Sequence, residues 1–262
     1  MENSKIGWTH HTMNFWWGCT KVSPACQHCY IGQIMRRSGY EPFDGPMRTS
    51  PLTWKKADQW NRQAGEEKRR LRIFTCSMSD FFHQGADPWR EEAWEVIRRC
   101  TNLDWLVLTK RPELIADRLP DDWGAGYANV WLGVTVESAK YLKRVAVLTK
   151  TPAAIRFVSA EPLLGPIDFT PFLSDVDWVI TGCEKAHREK RRPMNLNWVR
   201  AIRDQCAAAG TAHFFKQYYQ GTSVLYDGLL DGRVCQDFPR TDSVIRNRLI
   251  GRGTAKRPVL SR

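Results

Sequence analysis

The sequence contains no run of about 18 apolar residues, the length that a membrane-spanning helix requires. Residues 1–17 lack the apolar core of a secretory signal peptide, so we expect a cytoplasmic protein with no membrane association. The sequence also has no low-complexity linker and no obvious internal repeat. From these absences we expect an ordinary globular chain and not a membrane, secreted or repeat protein.

Acidic residues are outnumbered, with 28 Asp and Glu against 39 Lys and Arg, which gives a formal net charge of +11. Such a charge favours a polyanionic partner, although it bears on association and not on the fold. With 262 residues, 42% of them hydrophobic, the chain can bury a sizeable core. Because secretion is not expected, its eight cysteines are expected to be thiols or metal ligands and not disulfides.

Seven short apolar runs rich in β-branched and aromatic residues alternate with helix-like stretches. This rhythm is typical of an α/β fold with a parallel sheet and right-handed crossovers, and seven strands with short connections favour one full or partial barrel. Asn195 is a candidate helix cap and Gly210 a helix stop. The predicted strands are 14–18, 72–76, 104–109, 129–136, 154–159, 177–182 and 212–216, and the predicted helices are 23–39, 50–70, 87–100, 112–119, 137–150 and 195–210.

Polar side chains follow nearly every predicted strand. In such folds the loops at the carboxyl ends of the strands carry the chemistry, so these residues are expected to converge on one rim. Strand ends can also be polar simply because they meet solvent. The residues in question are Cys19, Ser77, Ser79, Asp80, His83, Thr109, Lys110, Arg111, Thr135, Glu137, Ser138, Ser159, Glu161, Gly182, Glu184, Lys216 and Gln217.

Three cysteines lie within eleven residues of the segment after the first predicted strand: Cys19, Cys26 and Cys29. Three thiolates can hold three irons of a [4Fe–4S] cluster and leave the fourth iron open to a small molecule. The same three thiols with a histidine from among His10, His11 and His28 would make a structural zinc site. A redox pair of Cys26 and Cys29 is weaker, because the third cysteine then has no role.

The chain resembles the phage-associated three-cysteine-motif family of uncharacterised proteins, within the radical S-adenosylmethionine (SAM) superfamily. The resemblance runs from about Trp8 to Pro239 and is carried by seven ordered blocks: GCTKVSPACQHCY, SMSDFFH, WLVLTKRPE, WLGVTVES, SAEPLLGPI, RRPMNLNWVRAIRDQC and FFKQ. It implies one partial (β/α)6-type barrel over residues 1–238, with a [4Fe–4S] cluster in the loop after the first strand. Residues 239–262 would be a basic tail. SAM is the implied second cofactor.

This resemblance also implies roles for individual residues. The three cysteines would hold the cluster, and Ser77 and Ser79 would lie at the methionyl amino group of SAM. Thr135, Glu137 and Ser138 would contact its ribose and carboxylate, and Glu161 would line the adenine side. Glu137 can also be a helix N-terminal acid, and Glu161 a structural ion-pair partner. Two departures from the superfamily are the six residues between Cys19 and Cys26 and the basic loop that begins at Cys183.

That loop supplies the remaining candidates. Cys183 and Lys216 are candidate catalytic residues on the rim, with Cys183 as a hydrogen-atom donor or extra ligand. Five basic residues, set against the single acid Glu189, are candidate substrate contacts to phosphates: Lys185, Arg188, Lys190, Arg191 and Arg192.

The sequence therefore predicts a radical SAM enzyme acting on a nucleic acid or nucleotide, with an electron donor such as flavodoxin or ferredoxin. A small-metabolite or peptide substrate is the alternative within the same class. From another class, a zinc-stabilised nucleic-acid-binding module without catalysis also fits, and the basic residues can be ordinary solvated surface.

Overall fold

The computed structural model of the chain describes residues 1–186 and 189–241. The predicted basic tail therefore lies outside the described residues beyond Thr241, and so does Arg188. The described part contains the α-helices α1 (Ile31–Arg37), α2 (Pro51–Glu66), α3 (Asp87–Arg99), α4 (Lys143–Lys150) and α5 (Leu196–Ala209). In this part of the chain, no helix combines the length and the apolar character that crossing a membrane requires.

Strands alternate with these helices. They are β1 (His11–Thr12), β2 (Trp16–Trp17), β3 (Met47–Arg48), β4 (Leu71–Thr75), β5 (Leu103–Thr109), β6 (Val130–Thr135), β7 (Ile155–Ala160), β8 (Trp178–Gly182), β9 (Ala212–Gln220), β10 (Ser223–Leu225), β11 (Leu229–Leu230) and β12 (Arg233–Val234).

Eight of the strands form one curved sheet in the order β1-β4-β5-β6-β7-β8-β9-β10. Every neighbouring pair is parallel except β9 and β10, which are antiparallel. The sheet curls into a half-barrel with β1 and β10 at its two open edges. The predicted α/β class and the predicted single partial barrel are therefore confirmed.

Two local predictions were wrong. The strand predicted at 14–18 shortens to β2, which pairs with β3 outside the main sheet, and the first strand of the main sheet is β1. Phe15 and Trp16 pack instead on Trp54 and Phe81. Residues 112–119 form two short 3-10 turns and no α-helix. Helix α5 does begin and end as predicted, since the Asn195 side chain accepts a hydrogen bond from a backbone N–H and Gly210 is left-handed, with φ 66°.

Aromatic rings fill the concave face of the half-barrel. The indole of Trp178 packs edge-on against Trp8, with ring centres 6.2 Å apart, and against Trp131 at 5.9 Å. Gly133 leaves the space that the ring of Phe157 occupies, because any Cβ there would overlap that ring. The barrel interior is thus a packed core and not a pore. Its buried members are Trp8, Phe74, Leu106, Trp131, Ile155, Phe157, Trp178, Ile180 and Phe214.

The helices cover the convex face with a second core. Alternate residues of a strand point to opposite faces, so Trp105 and Val107 of β5 face the helices while Leu106 faces the barrel. Trp94 of α3 and Val199 of α5 are buried in this outer core. The two cores hold the sheet rigid, and the loops at the carboxyl ends of the strands are left to form a site.

Candidate functional site

Cys19 lies in a loop whose backbone is tightly anchored. Its N–H donates to the carbonyl of Pro42 at 3.0 Å, and the N–H of the preceding Gly18 donates to Met78 at 3.0 Å. Gly18 has a φ of 92°, and a Cβ at this position would clash with the carbonyl oxygen of Gly45. Only glycine fits both conditions, so Gly18 sets the path that delivers Cys19 to the barrel rim.

Cys26 and Cys29 are held by one turn of chain. A 3-10 helix spans Pro24–Cys26, and the N–H of Cys29 donates to the carbonyl of Cys26 at 3.4 Å just before α1 begins. Cys19 and Cys29 pack against the same small apolar cluster of Ile31, Met35 and Met78. All eight cysteines of the chain are free. Cys19 and Cys29 therefore lie against the same apolar cluster, and Cys26 and Cys29 lie on one turn of the same loop.

Lys110, which follows β5, is the cation that the three thiols share. Burial raises the pKa of the Cys19 thiol to about 11 and raises the pKa of Cys29, while Lys110 lowers both. Burial also acts to raise the pKa of Cys26, but Lys110 and backbone hydrogen bonds outweigh it, and the pKa is lowered. Because one ammonium acts on all three thiols, it stabilises their thiolate forms together.

A buried ion pair ties this loop to the strand ends. Arg111 Nη1 lies 3.0 Å from Asp80 Oδ2 and 3.7 Å from Cys19 Sγ. The same guanidinium donates to the carbonyl and hydroxyl oxygens of Thr20 at 2.8 and 2.7 Å. The Thr20 hydroxyl contacts His83 Nε2 at 3.0 Å. The loops after β4 and β5 therefore hold the cysteine segment from one side.

The donor set fits a [4Fe–4S] cluster in its chemistry: three free thiols on one loop, next to a shared cation and an apolar cluster. Among the described residues no group of three or more His, Cys, Asp or Glu side chains is arranged for a metal ion as it stands. Ligation therefore requires the thiols to turn toward a common centre. For zinc, ring nitrogens of His10 and His11 already accept backbone N–H groups near β1, which leaves His28 on the cysteine loop.

A polar layer lies above the aromatic core, one step closer to the carboxyl ends of the strands. Glu161 Oε1 lies 2.7 Å from Lys216 Nζ, and Glu161 Oε2 accepts a hydrogen bond from Ser159 at 3.1 Å. A Cβ on Gly182 would lie 2.9 Å from Glu161 Oε1, so glycine leaves room for this carboxylate. Tyr30 leaves 39% of its surface exposed, but burial of its hydroxyl against the carbonyl of Ser77, followed by the charges of Cys29 and Glu161, raises its pKa. Tyr30 thus links the polar layer to the thiols.

Glu137 is fully buried and forms an ion pair with Arg144, with Oε2 to Nη1 at 2.8 Å. Within the described residues its Oε1 and the hydroxyl of Thr135 have no hydrogen-bond partner. Such atoms are costly unless something satisfies them. These two predicted SAM contacts therefore fit a polar ligand, and the half-buried Ser138 is adjacent to them.

Ser77 and Ser79 form hydrogen bonds with residues in and next to the cysteine loop. The Ser77 hydroxyl hydrogen-bonds the side chain of Asn14 at 3.1 Å, and its carbonyl accepts the hydroxyl of Tyr30. Ser79 donates to the carbonyl of Gly18. Both serines lie beside the predicted cluster position, although their side chains already have partners.

In the basic loop after β8, one of the arginines is already held by contacts within the protein. Arg192 forms an ion pair with the buried Glu184 and donates to the carbonyl of Pro24 at 3.0 Å, which joins this loop to the cysteine segment. Burial acts to raise the pKa of Glu184, but the hydrogen bonds from Arg192 outweigh it and lower the pKa. Lys185 and Lys190 are exposed.

Cys183 is 2% exposed, and burial raises the pKa of its thiol to about 12. Its carbonyl accepts a hydrogen bond from Gln217 Nε2 at 2.8 Å. Negative Glu161 raises the pKa of this thiol further, and positive Lys216 lowers it. The two candidate catalytic residues therefore belong to the same polar layer.

Sequence reasoning gave no role to Lys110, Arg111 and Asp80 beyond their position after strands. Tyr30 and Asn14 were likewise not selected as site residues. The sequence feature that could have identified Lys110 and Arg111 is the run TKR at 109–111, which places two cations directly after a buried strand.

The chain matches, over residues 3–239, the family described as "Protein of unknown function (DUF5131)". The chain belongs to this family. The description of the DUF5131 family names no reaction, and the phage association and three-cysteine motif expected from the sequence stay predictions. No curated protein matches the chain.

Among solved structures, the DUF5131 chain is similar to spore photoproduct lyase complexed with dinucleoside spore photoproduct. The TM-score is 0.50 at 12% identity, over 95% of this chain and 75% of that one. A cysteine-to-serine mutant of that lyase gives a TM-score of 0.48 at 12% identity, with the same coverage. At such identity the first likeness shows a shared fold.

Proposed function

We propose that this protein is a radical SAM enzyme whose [4Fe–4S] cluster is held by Cys19, Cys26 and Cys29. The observation that carries the proposal is the placement of three free thiols on one loop, next to Lys110, at the rim of a partial barrel. The likeness in fold to spore photoproduct lyase, a radical SAM enzyme, supports the class. When bound, the cluster and SAM together supply a reductive cleavage that starts radical chemistry.

The residues around the thiols prepare them for an anionic cluster. Lys110 and Arg111 place two positive charges beside three thiolates, which offsets the repulsion among them. The cluster of Ile31, Met35 and Met78 excludes water from one side. Asp80 fixes the orientation of Arg111 through their buried ion pair.

SAM would be bound along the polar layer. The unsatisfied Thr135 hydroxyl and Glu137 Oε1 are the atoms best suited to accept or donate hydrogen bonds to its ribose and carboxylate. Ser138 follows directly. Ser77 and Ser79 would act near the methionyl end, and their hydrogen bonds to Asn14 and Gly18 hold them next to the cysteine loop. Glu161 would line the adenine side while remaining paired with Lys216.

Cys183 is suited to donate a hydrogen atom, because its raised pKa keeps the S–H bond intact at neutral pH. In that step the S–H bond breaks, a C–H bond forms on a substrate radical, and the unpaired electron remains on the Cys183 sulfur. Lys216 would hold the nearby carboxylate of Glu161 in position.

A nucleic acid or nucleotide is the proposed substrate. The net charge of +11 supports an anionic partner. The lyase with the similar fold was solved with a dinucleoside photoproduct, which is the same chemical class. The basic residues proposed as phosphate contacts are Lys185, Arg188, Lys190, Arg191 and Arg192.

An electron donor such as flavodoxin or ferredoxin would dock next to the cysteine loop. Residues 21–40 contain no acidic residue. They expose Lys21, Arg36 and Arg37, together with the apolar side chains of Val22 and Ile34. This mixture of positive and apolar surface complements an acidic partner.

The test is cleavage of SAM by the reduced, anaerobically reconstituted protein, followed as formation of 5′-deoxyadenosine and methionine. Activity should be lost in Cys19→Ala, Cys26→Ala and Cys29→Ala and retained in Cys235→Ala, a half-buried cysteine outside the motif. Absence of any SAM product, with an EPR signal that SAM leaves unchanged, contradicts the proposal. Methylthioadenosine as product would keep the class and change the bond cleaved.

A further inference from the structure

Beside Cys183, between the loop after β8 and the end of β9, lies a cavity of about 290 Å³. Its walls are largely apolar and include Met194, Leu196 and Tyr218. Arg191 lines the same cavity. A pocket of this size is at the lower end of those that hold small molecules, so it has room for one compact unit, either free or as a single residue of a longer polymer.

Arg191 carries an uncompensated charge into this cavity. Its guanidinium lies over the ring of Tyr219, 3.7 Å from the ring centre, and donates one hydrogen bond to the carbonyl of Gly221 at 2.8 Å. The neighbouring Arg192 is neutralised by Glu184. In the part of the chain that the structure describes, Arg191 has no acidic partner within ion-pair distance. A guanidinium has five N–H donors, so most of its capacity remains for an anion.

A second cavity shows the contrast. It has a volume of about 420 Å³ and is lined by Arg90 and Arg118, yet both arginines are paired with Asp87. Glu91 and Asp117 line it as well. Because acidic side chains neutralise both arginines, this second cavity has, among the described residues that line it, no unpaired positive charge with which to bind an anion. The Arg191 cavity differs because its positive charge is held in place by an aromatic ring and not by a carboxylate.

We propose that the Arg191 cavity binds one nucleotide unit, with the phosphate on Arg191 and the base against Met194, Leu196 and Tyr218. A planar base matches the apolar walls, and a phosphate matches the free guanidinium donors. Cys183, which lines the cavity, is close enough to Glu161 and Lys216 to feel their charges. The bound unit would therefore border the polar layer. This inference rests on the proposed nucleic acid or nucleotide substrate and names where that substrate is recognised.

The nucleotide can be free or part of a single strand, since both present the same phosphate and base. The experiment measures binding by calorimetry to the full-length, anaerobically reconstituted protein, without reductant or SAM. The probes are thymidine 5′-monophosphate, thymidine, inorganic phosphate and an oligothymidine strand. The monophosphate should bind about tenfold to a hundredfold more tightly than thymidine, the range of a charged hydrogen bond. It should also bind more tightly than inorganic phosphate.

Arg191→Gln should abolish the preference for the monophosphate over thymidine. Arg233→Gln is the matched control, because it removes one exposed arginine on β12, outside the cavity, and should change nothing. Met194→Trp, in a half-buried loop position, should weaken thymidine and its monophosphate alike by filling the apolar side. Oligothymidine that binds more tightly than the monophosphate assigns the site to a strand, and weaker or equal binding assigns it to a free nucleotide.

The proposal is overturned if thymidine and its monophosphate bind equally, or if inorganic phosphate binds as tightly as the nucleotide. Equal losses in Arg191→Gln and Arg233→Gln would also overturn it, since they indicate general charge attraction. Failure here is separable from failure of the proposed function. Protein that holds iron and cleaves SAM but ignores nucleotides refutes this inference and the proposed substrate, and leaves the enzyme class standing. Nucleotide binding by protein that cannot hold iron refutes the enzyme class and leaves this inference standing.

Discussion

Replacing Asp80 with alanine should destabilise the protein severely, because this carboxylate organises the strand ends under the cysteine loop. Asp80 Oδ1 accepts hydrogen bonds from the Thr109 hydroxyl at 2.7 Å and the N–H of Phe82 at 3.0 Å. Its Oδ2 accepts from the N–H of Lys110 at 2.8 Å and from Arg111 Nη1 at 3.0 Å. Alanine removes all four acceptor contacts at once.

The magnitude follows from burial. Asp80 is 5% exposed and Arg111 is 6% exposed, so the variant leaves a buried guanidinium without its carboxylate. Losing one partner of a buried pair costs about 3–5 kcal/mol. The control is Glu92→Ala, which breaks an exposed pair between Glu92 and Arg48. An exposed pair contributes about 0–1 kcal/mol.

The assay is urea unfolding of both variants in the absence of iron. With a slope of about 3 kcal/mol per molar urea, Asp80→Ala should lower the midpoint by about 1–1.7 M and Glu92→Ala by at most about 0.3 M. Equal midpoints for the two variants would refute the reasoning, since they would show that the Asp80 network adds no more than a surface contact.

Further predictions concern His213, Glu137 and the basic residues. Burial lowers the pKa of His213 to about 4 from 6.5, so the unfolded chain binds more protons between these values. Stability should therefore fall as the pH decreases from about 6.5 to 4, and urea midpoints of His213→Gln should fall less over the same range. Glu137 is buried and paired with Arg144, and Glu137→Gln keeps its size while removing its charge. This variant should bind SAM more weakly in equilibrium dialysis and should retain its iron. An unchanged SAM affinity would count against Glu137 as a ligand. Binding of oligonucleotides should fall with salt at a log–log slope of about −0.9 per duplex phosphate or −0.7 per single-strand phosphate, about −3 to −4 for four contacts. Arg191→Gln should flatten this slope by nearly one unit. Removal of residues after Pro239 should weaken binding equally for all sequences and leave SAM cleavage intact. Oligonucleotides that bind no better than a neutral polymer at low salt would contradict this prediction.

The central strands were predictable because each is a short run of buried apolar residues between polar boundaries. The predicted strands 104–109 and 177–182 differ from β5 and β8 by one residue at their start. The first strand was not predictable in the same way. Its residues in the sheet, His11 and Thr12, are polar, and the adjacent aromatic run is apolar because it packs on helices. An apolar run shows that its residues are buried but not what buries them, and here Phe15 packs on Trp54 of helix α2.

That the three thiols share one loop could be predicted, because their spacing is local. Their surroundings could not, since Arg111 reaches Cys19 across 92 residues of sequence and only the order of strands in the sheet brings them together. The pairing of Glu137 with Arg144, seven residues later, depends on the turn that precedes α4. The sequence identified Glu137 as a site residue, but it could not show that one of its oxygens is already neutralised.

The most direct test of the central claim is the iron, sulfide and zinc content of anaerobically purified and reconstituted protein. Three cysteines holding a [4Fe–4S] cluster predict brown protein with about four irons per chain. Cys19→Ala, Cys26→Ala and Cys29→Ala should each lose the iron, and Cys235→Ala should retain it. Stoichiometric zinc with negligible iron and sulfide would contradict the account and favour a structural zinc site.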